Sequence, residues 1–328
     1  MPAAIEIEHL TKRYKNASAA AVDDISFAVP EGEFFAFLGP NGAGKTTTVS
    51  VLTTTLAKTS GRVRIAGHDL DTEAHKIRAK IGVIFQSPSL DQNLTAEENI
   101  RLHACLYNLY PYRPFYRMMA KSYRDRVGQL ASLLGIKDAI FDPIKTLSGG
   151  MKRKLEIVRG LMHQPTILFL DEPTTGLDPQ SRRALWTYLQ DMRNTTSMTI
   201  FLTTHYLEEA EQADHIAIIS RGKIVSFGTP AGIKKDMIDE YVLLDSGDRD
   251  RLAADLRPLG VELKGRPPFK IDIRRGNGAT AQKIISSVTV PLTVLDIHRP
   301  TLEEAYLEIV EGRQENMAAS RDAEDTED

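Results

Sequence analysis

The chain has 328 residues, 42% hydrophobic and 26% charged, which is long enough to bury a substantial core and matches a globular composition rather than a disordered or fibrous one. No apolar run reaches the roughly 18 residues of a membrane-spanning helix, and a single cysteine, Cys105, excludes a disulfide framework or a cysteine-based metal site. The net charge of −3 is uneven: 311–328 holds seven acidic residues against two arginines, leaving the rest at about +2, so 312–328 reads as a solvated, disordered tail.

The first residues, Met1 to Glu6, lack the basic and apolar regions of a secretory signal, so the cytosol is the expected compartment. Through the first 230 residues short β-rich runs alternate with helical patterns, which predicts an α/β domain with a largely parallel sheet. Ile5–Leu10, Ile25–Val29 and Phe34–Leu38 read as its first strands. Gly39-Pro40-Asn41-Gly42-Ala43-Gly44-Lys45-Thr46 follows the third strand and precedes a helical run, Thr47–Leu56. It fits G-x-x-x-x-G-K-[ST] in the strand-to-helix context that motif requires. Glycines let backbone N–H groups close on an anion, and the helix start adds positive potential. Lys45 is thereby placed to reach the β- and γ-phosphates of ATP, and the Thr46 hydroxyl to ligate Mg2+.

Val63–Ala66 and Ile81–Phe85 are the next predicted strands. Between Thr95 and Leu134 the β runs stop and helical spacing takes over, with Thr95 and Glu98 forming a capping box at the first helix, so that roughly Gln86 to Arg159 reads as an all-helical insertion. Inside this insertion Tyr107, Tyr110, Tyr112, Phe115, Tyr116 and Tyr123 crowd among Pro111, Pro114 and basic residues. That run reads as a local mini-core or, failing that, as a contact surface for a partner. Stacking on bases is a third reading, but no nucleic acid is expected.

Leu147-Ser148-Gly149-Gly150-Met151-Lys152-Arg153 opens another helical run, Lys154–Met162. Ser-Gly-Gly at a helix start is a second anion cradle, although alone it better describes an ordinary N-cap followed by flexible glycines. The apolar strand Ile167–Leu170 ends in Asp171-Glu172. Beside a phosphate loop, Asp171 is placed to hold Mg2+ through water and Glu172 to act as general base for the attacking water. Thr199–Thr203 and His215–Ser220 complete the parallel pattern, and Lys223–Phe227 returns antiparallel after the turn at Arg221-Gly222. Beyond Gly228-Thr229-Pro230, alternation in Tyr241–Leu244 and Phe269–Ile273 with helical spacing in Arg249–Leu259 and Ala279–Ser287 predicts a small α+β domain over 231–311.

Together these motifs resemble the ATP-binding subunit of an ABC transporter over about residues 5–230. The resemblance implies a P-loop NTPase ABC ATPase domain over 1–230, with a RecA-like core, an antiparallel β subdomain and a helical subdomain at about 86–159. It further implies that Gly39 to Thr47 bind ATP, that Gln86 touches Mg2+ and the attacking water and links to a transmembrane permease, and that His205 contacts the γ-phosphate. Two copies are expected to pack head to tail, so that Ser148, Gly149 and Gly150 grip the nucleotide of the second copy. Asp178, in Gly176-Leu177-Asp178-Pro179, would connect the two sites. Tyr14 resembles the aromatic that stacks on adenine, though by sequence it is equally a packed tyrosine.

Met151-Lys152-Arg153, where many members have Gln first, resembles the branch serving type-2 exporters of drugs, nodulation factors and polysaccharides. Thr301–Leu307 resembles the closing helix of the accessory domain in daunorubicin-resistance-type ATPases. Both imply an exporter subunit at the cytoplasmic face of the membrane. The alternative is a soluble ABC-type ATPase acting on ribosomes or DNA, but such members carry tandem cassettes or long coiled coils, and neither is present in this sequence.

Overall fold

Two strands with alternating burial, β1 (Ala3–Lys12) and β2 (Val22–Pro30), pair antiparallel and precede β3 (Phe34–Leu38), every residue of which is buried. That contrast separates a sheet with one wet face from a strand covered on both sides. The computed structural model describes residues 2–86, 89–237, 240–261, 263, 265–273 and 281–309. The chain divides into two compact units, 1–227 and 228–328. The tail expected at 312–328 lies outside the described residues, as does position 311 at the expected end of the small domain.

In the first unit the chain continues through α1 (Lys45–Leu52), β4 (Ser60–Ile65), β5 (His68–Asp69), α2 (Ala74–Lys80) and β6 (Ile81–Ile84). Then come α3 (Ala96–Leu106), α4 (Lys121–Leu133), α5 (Gly149–Leu161), β7 (Ile167–Asp171), α6 (Pro179–Thr196) and β8 (Thr199–Thr204). A short helix α7 (Leu207–Ala210) leads to β9 (His215–Ser220) and β10 (Lys223–Gly228). One sheet has the order β2-β1-β4-β5 and is antiparallel; the other, β10-β9-β3-β8-β7-β6, is parallel from β9 to β6. The two sheets share a core in which Phe201 lies 5.2 Å from Phe35, 5.7 Å from Phe37, 5.4 Å from Phe169 and 6.3 Å from Phe27, ring centre to ring centre. On the opposite face of the parallel sheet, Phe34 stacks on Trp186 of α6 at 5.7 Å. Among the described residues no helix is long and apolar enough to cross a membrane.

The strand expected at Val63–Ala66 begins earlier and ends at Ile65, because Ala66 and Gly67 adopt φ of 50° and 77° and turn the chain into β5. Two-residue turns of positive φ suit the twist of a hairpin. β5, α2 and α6 add to the elements expected from the sequence; α6 starts with Asp178 as N-cap and Pro179 at its first position, a standard helix opening. Between 86 and 159 the described residues form helices and short 3-10 turns, with a single isolated bridge between Thr95 and Pro143. The Thr95–Glu98 capping box is formed in both directions.

The second unit contains α8 (Pro230–Met237), β11 (Tyr241–Ser246), α9 (Arg249–Leu256), β12 (Phe269–Asp272), α10 (Ala281–Ser287), β13 (Leu292–His298) and a helical run over 302–309. Its antiparallel sheet, β12-β11-β13, and its helices bury Val242, Leu244, Leu252, Leu256, Ile271 and Ile284. The helix expected to reach Leu259 stops at Leu256 and tightens into a 3-10 turn that contains Pro258. β13 escaped the sequence reading because it is a half-exposed edge strand whose apolar residues do not alternate cleanly.

Phe201 joins strands of both sheets through four aromatic neighbours. Phe201→Ala is expected to destabilise the first unit by about 3–5 kcal/mol, seen as a lower denaturant midpoint with no change in the C-terminal unit.

Candidate functional site

The loop from Gly39 to Gly44 leaves the end of β3 and enters α1 at Lys45. Two of its glycines are dictated by close approach. A Cβ at Gly39 would lie 2.3 Å from the Ile219 carbonyl oxygen, and one at Gly44, whose φ is 111°, would lie 2.4 Å from that of Ala21. The loop borders a 330 Å³ cavity lined by Asn41, Gly42, Gly44, Lys45, Thr46 and Thr47 together with Ala21, Gln86 and Glu172. Gly39, Pro40 and Ala43 shape the loop without lining the cavity. Tyr14 is 46% exposed, with its hydroxyl 3.4 Å from Thr47 Oγ1, so it stands beside α1 rather than inside the core.

Lys45 folds back on its own loop, donating to the carbonyls of Gly39 at 2.7 Å and Pro40 at 3.1 Å. Its ammonium is also 3.9 Å from Glu172, and burial lowers its pKa against the pull of Glu172 and Asp171. Thr46 donates to Asp171 Oδ1 at 3.5 Å, and Thr203 also donates to that oxygen. Asp171 Oδ2 is buried without a hydrogen-bond partner, and burial raises the pKa of the carboxyl. An orphaned buried carboxylate oxygen next to a hydroxyl fits a hard divalent cation, which takes oxygen ligands.

Glu172 has φ of 47°, a left-handed conformation costing on the order of 1–3 kcal/mol for such a residue. The reversal follows directly on β7, with the Glu172 N–H donating to the Thr203 carbonyl at 3.0 Å. Its carboxylate, 6% exposed, accepts from Gln86 Nε2 at 3.1 Å and lies 3.1 Å from His205 Nδ1. Gln86, Asp171, Glu172, His205, Lys45 and Thr46 therefore converge at one place.

The Ser-Gly-Gly residues do not join them. Ser148 caps α5 by accepting from the Met151 N–H at 3.2 Å, and Ser148 and Gly149 are exposed. Asp178 caps α6 through Ser181 and pairs with Lys154 of α5 at 2.9 Å, which holds its carboxyl well below the usual carboxylate range.

Two residues organise the site in a way the sequence does not reveal. Arg153, 3% exposed, donates to the carbonyls of Pro173 at 3.0 Å, Asp171 at 3.1 Å, Glu172 at 2.8 Å and Gln86 at 3.4 Å, and also to that of Phe85. Its signal is a cation on the buried face of α5, in helical register with Glu156, Ile157 and Gly160. Glu209 is buried too, accepting from Thr204 at 2.7 Å and from Thr174, so it ties the loop after Glu172 to the loop carrying His205.

A profile of the ABC transporter family matches residues 22–175. The daunorubicin/doxorubicin resistance ATP-binding protein DrrA of Streptomyces peucetius is 33% identical over 98% of this chain and 97% of its own length. The chain belongs to the ATP-binding proteins of ABC transporters. This ABC ATPase is also 37% identical over 70% of its length to YbhF of Escherichia coli, a probable multidrug ABC transporter ATP-binding protein, of which the alignment spans 38%. Among solved structures it is similar to an ATP-binding subunit of an ABC transporter, with a TM-score of 0.63 and 29% identity over 71% of this chain and 92% of the other. A second, at a TM-score of 0.62 and 27% identity over 69% of this chain and 98% of the other, is a dimeric ATP-binding cassette in a post-hydrolysis state bound to ADP and Pi.

In this ABC ATPase the Arg153 guanidinium joins α5 to the ends of β6 and β7. Arg153→Met leaves several buried carbonyls unpaired at about 1–3 kcal/mol each, so a lower unfolding temperature and a loss of ATP hydrolysis are expected. Arg153→Lys should rescue little, because one ammonium cannot span the same set of acceptors; calorimetry and phosphate release on the two variants check this.

Proposed function

We propose that this chain is the ATP-hydrolysing subunit of an exporter, held at the cytoplasmic face of the cell membrane, where two copies pack head to tail and drive a separate transmembrane permease. In domain terms, 1–230 is the nucleotide-binding domain, with its helical subdomain at 86–159, and 231–311 is a small accessory domain. The observation that carries the reading is the separation of the two anion cradles. Lys45, Thr46 and Glu172 line the cavity, whereas Ser148 and Gly149 stand exposed at the start of α5. A second copy, presenting Ser148, Gly149 and Gly150, supplies the missing wall. The exporter assignment is supported by the near full-length similarity to DrrA and by 33% identity over 95% of this chain to a Nod factor export ATP-binding protein of Paraburkholderia xenovorans.

The backbone N–H groups of 41–47 and the α1 N-terminus receive the phosphates of ATP, and Tyr14 offers its exposed ring to the adenine. Lys45 exchanges the carbonyls of Gly39 and Pro40 for the β- and γ-phosphates. Thr46, Asp171 and Gln86 would hold Mg2+, which when bound neutralises phosphate charge. Glu172 accepts the proton of the attacking water, and His205 steadies that carboxylate and contacts the γ-phosphate. Asp178, anchored to α5 through Lys154, couples one site to the other. Sandwiched nucleotide favours the closed dimer, and hydrolysis reopens it.

Glu172→Gln is expected to bind ATP normally, to accumulate as a dimer on size exclusion, and to hydrolyse ATP at least about 100-fold more slowly. Normal turnover by this variant would remove Glu172 from the role of base. Ser148→Arg is expected to abolish hydrolysis while leaving nucleotide binding by the monomer intact, measured by fluorescent-nucleotide titration. Full activity in Ser148→Arg would argue against a shared site.

A further inference from the structure

The segment joining α3 to α4 has an unusual charge pattern. From Asn99 to Arg124 there is no Asp or Glu and there are five Arg or Lys. One of them, Arg101, works internally: it pairs with Glu97 at 3.2 Å and donates to the carbonyls of Arg113 at 2.9 Å and Pro114 at 2.5 Å. Tyr123, buried in α4, donates to Glu97 at 3.0 Å and makes edge-to-face contacts with Tyr110 at 5.4 Å and Tyr116 at 6.2 Å. Phe141 also packs edge-to-face with Tyr116 at 5.2 Å. The connecting segment is thus pinned by its backbone and by Tyr116.

What the pinning leaves outside is a run of exposed aromatic, apolar and cationic side chains. Tyr112, Phe115 and Met118 are 58%, 68% and 54% exposed. Arg113, Arg117 and Lys121 are exposed between and beside them, and among the described residues none of the three has a carboxylate partner. Large side chains held out in water on an ordered segment mark a contact surface. Amphipathic aromatics with Arg and Lys are the groups that settle at the headgroup level of a bilayer.

We propose that residues 112–121 dock on an anionic lipid surface, with Tyr112, Phe115 and Met118 in the interfacial layer and Arg113, Arg117 and Lys121 on the lipid phosphates. Charge selects lipid over protein as the occupant. Cytoplasmic loops of membrane proteins carry an excess of Lys and Arg and would repel these cations, whereas each cation near an anionic leaflet gains about fivefold in partitioning. The inference rests on the proposed function for one thing alone, that a membrane lies within reach.

The test uses the full chain and sedimentation with vesicles of phosphatidylcholine, alone or with 30% phosphatidylglycerol added. Binding is expected only to the anionic vesicles and should fall as salt rises. Arg113→Gln/Arg117→Gln is expected to bind about 25-fold more weakly, two fivefold factors compounded, and Phe115→Ala more weakly than wild type, both with unchanged ATP hydrolysis. Equal binding by wild type and the double variant overturns the proposal. So does wild type that ignores anionic vesicles but is retained by polyglutamate, by DNA, or by zwitterionic proteoliposomes containing its permease. Loss of vesicle binding with ATP hydrolysis intact would leave the proposed function standing, whereas a wild-type chain that cannot hydrolyse ATP would undo that function and not the lipid contact.

Discussion

The buried guanidinium of Arg153 is the contact on which the arrangement of the site depends. A charge 3% exposed is costly unless its donors are satisfied, and here they are satisfied by the carbonyls of Phe85, Gln86, Asp171, Glu172 and Pro173. Those carbonyls belong to the chain as it leaves β6 and β7, so two parallel strands and the helix behind Ser148 are fastened at a single point. The same bonds fix the backbone at Gln86 and Glu172, whose side chains meet at 3.1 Å. The Arg153 side chain therefore links α5 directly to the backbone that carries that pair.

Around that fastening the site gathers charges that oppose one another. Asp171 and Glu172 are adjacent and buried, with the Lys45 ammonium 3.9 Å from Glu172. Burial disfavours the charged form of both Lys45 and Asp171, so each gains from an anionic phosphate or a divalent cation placed between them. The left-handed backbone of Glu172 belongs to the same economy of positions. It reverses the chain at the end of β7, with the carboxylate set among Lys45, Gln86 and His205, and Glu209 braces the loops on either side.

The aromatic run in the helical insertion serves two ends at once. Tyr110, Tyr116 and Tyr123 form the mini-core expected there, anchored by the buried Glu97. Tyr112 and Phe115, from the same run, face water. Prolines and a short 3-10 turn at Tyr116–Met118 make the segment irregular, so neighbouring side chains part to opposite sides without helical periodicity to forecast which goes where.

By itself the sequence determined the family and the α/β class, and it picked out Gly39 to Thr46 and the Asp171-Glu172 pair as a candidate site, to which the family resemblance added Gln86 and His205. The phosphate loop and the Asp171-Glu172 pair are local patterns, written within a few residues of each motif, whereas Gln86 and His205 stand out only against the family. The buried strands at 34–38 and 167–170 were legible for the same reason, since continuous apolar runs between turns require cover on both faces. Only the tertiary structure decided that Arg153 lies inside and reaches five carbonyls, that Glu209 bridges two loops, and that Asp171 keeps one oxygen unpartnered. Each of these is a relation between segments tens of residues apart, set by how α5 and β8 pack against β7. A cation or a carboxylate reads the same in sequence whether it is solvated or buried; the packing around it makes the difference.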